Sequence, residues 1–385
     1  MRKRILTFLF PSMLTLLCSL TLPSNTPYAL ADSIEVYPDD LQVVWGVSFS
    51  PDDQYVVATF QEGVVLIWER ESCRLKSLFQ PLPINNQRRI ITGIAWSPTQ
   101  QQFATAMYEG SVRLWQLQAS TGWTLQKEMV YTRSVSKERS RRGSPEAERW
   151  GDSPGFRSVA FSPDGTLLAA AGHGPFIYVW KTNGEDAPIH ILNGQAETIH
   201  TVTFGRDNST VLSAGDDGVV RFWDLDHEKE IRTIQTVGPV INLAISPDKH
   251  YLAASSYGEN QRTVIYDFDT GKEIRQFTIA SPSRKMPSVI WSQAFSPNSR
   301  LLAVGAPHND NDILIRLFDV EKGQEIWTAI FSNKERVEGL AYSHNGKFLV
   351  GGISGDAPYL LDAETGAILR RYGWAICDSK KERRE

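Results

Sequence analysis

The chain has 385 residues, 41% of them aliphatic or aromatic and 22% charged, with a formal net charge of −4. These figures exclude a disordered or fibrous protein, and the mild acidity gives no electrostatic reason to expect nucleic acid. Length alone predicts two or three domains, since a single compact core stops growing near about 250 to 300 residues, unless the chain is built from repeats.

The first element is a leader. Arg2, Lys3 and Arg4 precede an apolar run from Ile5 to Leu22, then a polar stretch and Ala29-Leu30-Ala31. Basic, apolar and small residues in that order read as a secretory signal peptide, residues 1–31, cleaved before Asp32. Its loss removes three basic residues and leaves a net charge of −7. Retention as an uncleaved membrane anchor is the alternative. Residues 32–43 follow as an N-terminal segment, a candidate ring-closing strand. Cys73 and Cys377 remain in the mature chain, too few to be a disulfide framework. From the reach between opposite ends of a strand, these two are expected to stay unpaired.

From residue 44 the chain repeats. Seven segments begin Val47-Ser-Phe-Ser-Pro-Asp, Ile94-Ala-Trp-Ser-Pro-Thr, Val159-Ala-Phe-Ser-Pro-Asp, Val202-Thr-Phe-Gly-Arg-Asp, Leu243-Ala-Ile-Ser-Pro-Asp, Gln293-Ala-Phe-Ser-Pro-Asn and Leu340-Ala-Tyr-Ser-His-Asn. Each is an alternating strand running into a tight turn. A second strand of small residues follows, such as Ala169-Ala170-Ala171-Gly172. A third ends in Trp68, Trp115, Trp180, Trp223, Tyr266, Phe318 or Leu361. Counted from Phe49, Trp96, Phe161, Phe204, Ile245, Phe295 and Tyr342, that anchor lies 19, 19, 19, 19, 21, 23 and 19 residues on. A fourth strand, such as Glu230–Ile234, completes the unit. The spacing predicts an all-β, seven-bladed β-propeller of four-stranded antiparallel blades over residues 44–373, with the anchors as packing between blades. A charged tail, 374–385, closes the chain.

These repeats resemble the WD-repeat propeller family, most closely in the fourth, where Ser213-Ala-Gly-Asp-Asp217-Gly precedes Arg221-Phe-Trp223-Asp224. Ser213, Asp217 and Trp223 are thereby implied as structural. Gln195 stands where the family places a histidine, so its hydrogen-bonded tetrad is incomplete. The resemblance implies protein or peptide partners, and with the leader a periplasmic or extracellular, monomeric ring.

Function is expected where the spacing breaks. Between the first-strand residues Trp96 and Phe161 the interval is 65 residues against 41 to 50 between the other such pairs, which leaves an inserted loop, 131–156, carrying Lys137, Arg139, Arg141, Arg142 and Trp150. Longer connections also carry Arg262, His308 and Asp310. All three interruptions belong on one rim, where they are expected to meet partners.

Catalytic signals are poor. Gly151-Asp-Ser153-Pro-Gly155 has the letters of a nucleophile elbow but precedes a strand, with proline after the serine. His308, Asp310 and Asp312 lack the spacing of a calcium or zinc site. The seven histidines show no recurrent pair spacing, and none is singled out as a base. No cofactor, metal or nucleic acid is expected. A non-catalytic protein-binding scaffold leads, and a propeller dehydrogenase or hydrolase with its site at the channel mouth is the alternative.

Overall fold

The structure, a computed structural model, describes residues 43–61, 63–79, 90–118, 122–130, 155–194, 198–257, 262–278, 289–309, 312–334 and 336–373. The chain divides into two compact units, Met1–Tyr37 and Pro38–Glu385, and the described residues all lie in the second.

Among the described residues, 28 strands form seven antiparallel four-stranded sheets, each built from four consecutive strands, so the fold is the expected seven-bladed propeller. The repeated turn has a chemical cause. In the first blade Ser50 Oγ donates to Asp52 Oδ1 at 2.6 Å and accepts from the amide of Tyr55 at 2.9 Å, tying the turn between the first two strands. The same two bonds recur at Ser162, Ser246, Ser296 and Ser343, each with Asp or Asn two residues on. A serine followed two residues later by a short acceptor is therefore a hairpin latch.

Between blades the packing is dense. Ala169, Ala170 and Ala171 are fully buried, as are Trp180 and Leu361. Trp68, Trp115, Trp223, Tyr266 and Phe318 are at most 5% exposed, as their role as filler requires. Two of the tryptophans also bond inside their blade, Trp223 Nε1 donating to Ser213 Oγ at 2.9 Å and Trp115 Nε1 to Thr105 Oγ1 at 3.1 Å. Asp217 holds Arg221 Nη1 at 2.6 Å and accepts from the amide of Val219 at 3.1 Å.

The last blade has its own fourth strand, Ile368–Arg371. The ring thus closes between first and last blades through side chains. The Asp53 carboxylate accepts from the amides of His344 (2.7 Å) and Asn345 (3.0 Å). Trp68 packs against Tyr372 in a tilted pair with centroids 5.6 Å apart and donates Nε1 to the carbonyl of Gly373 at 3.3 Å. Arg70 lies 4.6 Å over the Phe348 ring.

One expectation is corrected at this seam. Cys73 is not a free thiol but is disulfide-bonded, to a cysteine outside the described residues.

Because Trp180 fills the space between blades, with its ring 5.9 Å from Phe156, Trp180→Ala should lower unfolding stability by about 3 to 5 kcal/mol in chemical denaturation.

Candidate functional site at the channel mouth

In six of the seven blades the first strand carries a β-bulge at its entry. Pairing with the second strand runs Val44↔Phe60 then Gly46↔Thr59, Ile91↔Met107 then Gly93↔Ala106, and Ile199↔Gly215 then Thr201↔Ala214. The same slip skips Arg157, Ile241 and Glu338. A bulged residue leaves the ladder, and its side chain is re-aimed. Here the re-aimed residues are Trp45, Thr92, Arg157, His200, Ile241 and Glu338. Trp291 occupies the matching position in the sixth blade, just before the strand Ser292–Phe295. All seven line one cavity of about 650 Å³, walled by the first strands of all seven blades.

Glycine makes the close approach affordable at two bulges. A Cβ on Gly172 would meet the carbonyl oxygen of Gly155 at 2.0 Å, and one on Gly215 that of Thr198 at 1.9 Å. Both contacts are far inside van der Waals distance, so the second strand can flank the bulges of Arg157 and His200 only without a side chain there.

Polar chemistry concentrates on blades three to five. Arg157 Nε lies 3.4 Å from His173 Nε2, and its Nη1 lies 3.3 Å from His200 Nδ1. His200 Nε2 is 2.6 Å from Asp216 Oδ1, which also accepts from Tyr257 Oη at 3.0 Å. The Tyr108 ring stands edge-on to His173 at 5.2 Å. Since a guanidinium can only donate, both imidazoles accept from it, and His200 carries its proton on Nε2 and donates to Asp216. Neither nitrogen of His200 is left to act as a base.

Electrostatics agree with those roles. Burial, then the Arg157 charge, drive the His173 imidazole down from 6.5 to about 4, so it stays neutral. At Asp216 burial pushes upward, but the hydrogen bonds from His200 and Tyr257 and the Arg157 charge outweigh it, and the carboxyl lies below its usual value.

The residues singled out from spacing lie apart from this cluster. Lys137, Arg139, Arg141, Arg142, Trp150 and Asp310 fall outside the described residues. Arg262 donates from Nη1 to Gln276 Oε1 at 2.7 Å within its own blade, and the amide of His308 donates to the Asp312 carbonyl at 2.8 Å. Gly155 begins the turn into the strand Phe156–Phe161, with φ of 50°, and no helix follows. Among the described residues, no group of three metal-ligating side chains occurs.

The cluster itself escaped spacing arguments, yet it has a sequence signal. Each channel residue stands four positions before the first-strand residue of its repeat (Phe49, Trp96, Phe161, Phe204, Ile245, Phe295 or Tyr342), and this column alone reads Trp, Thr, Arg, His, Ile, Trp, Glu.

Comparison with known families matches the WD domain, G-beta repeat, at residues 34–69, 82–116 and 149–181. The cytochrome D1 heme domain matches residues 183–381, just over half of the chain. The chain therefore belongs to the WD-repeat β-propellers and to the cytochrome D1 heme domain family. The second description raises heme, whose iron takes an axial His, Cys, Met or Tyr. Within 183–381 of this family member, the described cavity lining offers His200 alone of those types. Both of its nitrogens are engaged. The described His190, His227 and His344 pair instead with Glu228, Asp224 and Asp53. The residues present do not fit an axially held heme at the channel mouth.

The depressed His173 predicts a pH effect with a definite sign. The unfolded imidazole protonates near 6.5 and the folded one near about 4, so stability is full above pH 6.5 and falls as pH drops to about 4. Depressed carboxylates such as Asp216 act below that window. His173→Gln should flatten the decline of thermal midpoint between pH 6.5 and 4, and an unchanged decline would refute the assignment.

Proposed function

We propose that this propeller is a non-catalytic binding platform that holds a protein or peptide partner over the channel mouth. The observation that carries the reading is the contrast between columns of the repeat. Positions that build blades repeat from unit to unit, whereas the column aimed into the channel changes in every blade except for two tryptophans. Packing alone does not require that variety, and recognition of an asymmetric partner does.

Two further features support it. The histidine that lines the cavity donates to Asp216 and accepts from Arg157, an arrangement that orients a guanidinium and activates no nucleophile. The second-to-third-strand connections at Tyr257 and at Pro307 to Asp312 lie at the strand ends that carry the bulges, as antiparallel alternation within each blade requires. In this reading the inserted loop, 131–156, which leads in sequence into the bulge at Arg157, supplies Lys137, Arg139, Arg141, Arg142 and Trp150 as partner contacts. Export through residues 1–31 places the platform in a periplasmic or extracellular space as a monomeric ring.

The test compares the mouth with the outer edge, where Ile231 and Ile274 are 52% and 43% exposed on fourth strands. Trp45→Ala and Trp291→Ala should abolish partner capture from an envelope fraction, while Ile231→Ala and Ile274→Ala leave it intact. Loss from the edge variants alone would move the site. A Soret shift on hemin addition, abolished by His200→Ala, would replace the platform reading with a heme protein.

A further inference from the structure

The charge pattern of the cavity is more specific than a general contact surface. Among its described lining residues Arg157 is the one cation and Glu338 the one carboxylate. Glu338 is already occupied, its Oε1 accepting from Ser354 Oγ at 3.3 Å and lying 3.6 Å from Arg336 Nη1, with its side chain 2% exposed. Arg157 has no carboxylate partner among the described residues. Of a guanidinium's five N–H donors, the two imidazoles take one on Nε and one on Nη1, leaving the second Nη1 hydrogen and both on Nη2. The imidazoles fix the plane of the fork, and the bulge turns it into the channel. Neutral acceptors position a cation without neutralising it. A half-buried guanidinium so held, with two adjacent nitrogens still able to donate, is built to take a planar oxyanion in a bidentate grip.

We propose that Arg157 is an anion subsite that captures a single carboxylate of an acidic peptide, with His173 and His200 as positioning residues. This rests on the platform reading and names what the platform recognises. Two local charges favour a monoanion. Asp216 stands one imidazole away from Arg157, and Glu338 faces the same cavity, so a dianionic phosphate meets more repulsion than a carboxylate does. Trp45 and Trp291 line the same cavity and add aromatic surface for the peptide around its acid.

The experiment follows the arginine side-chain Nε resonances of the full mature protein by NMR. The Arg157 signal is assigned by its loss in Arg157→Gln, and three probes are titrated: the peptide acetyl-Gly-Glu-Gly-amide, its Gln counterpart, and inorganic phosphate. The Glu peptide should shift the Arg157 signal saturably, the Gln peptide should not, and Arg157→Gln should weaken binding about tenfold or more. Arg157→Lys, which keeps the charge and loses the fork, should retain only part of the affinity and controls for folding. Equal binding by the Glu and Gln peptides, or by wild type and Arg157→Gln, overturns the subsite. Saturation by phosphate but not by the Glu peptide overturns the carboxylate assignment. Partner capture lost in Trp45→Ala and Trp291→Ala would leave the platform standing through either failure.

Discussion

The structure depends on one constraint: a four-stranded blade buries its two faces only against its neighbours. Nothing in the interior of a blade is thick enough to form a core by itself, so stability comes from contact between successive sheets. That is why second strands carry alanine and glycine and third strands end in large rings. Ala253, fully buried, belongs to one cluster with Phe277 and Phe318 of two successive blades. The constraint also makes ring closure the exposed point of the fold, because first and last blades share no strand. The Asp53 carboxylate on two amides and the Trp68 and Tyr372 rings act at this seam.

The same architecture generates the site. A strand that enters the ring beside the channel must turn away from the tight contact of neighbouring first strands, and the bulge achieves this by leaving one residue out of the ladder. Once a residue is free of the ladder, its side chain no longer has to suit packing. The seven positions can then diverge while the scaffold stays constant. Arg157 and His200 are placed by this device, and the glycines at 172 and 215 are its structural complement. Hydrogen bonding then fixes the chemistry: one guanidinium, two neutral imidazoles and an aspartate in sequence give an oriented cation with open donors.

Much of the fold was legible in the chain. The Ser-Pro-Asp turns, the constant distance to the third-strand aromatic and the small second strands each follow from local geometry, and they suffice for blade number and strand order. The site was less legible for a physical reason. Spacing arguments look for what recurs, and a recognition column is defined by what does not. His173 and His200 are 27 positions apart in sequence and in different blades, and the fold brings both to Arg157. Arg262 and His308, on the longer connections, bond within their own blades.

The central claim, that the partner sits over the bulged column, is tested most directly by site-specific photo-crosslinking. A benzophenone side chain at position 45 places the probe in the channel mouth, and one at position 226 places it at the opposite end of a blade, in the turn between third and fourth strands. The account predicts a discrete adduct from position 45 and none from position 226. An adduct from position 226 with none from position 45 would contradict it.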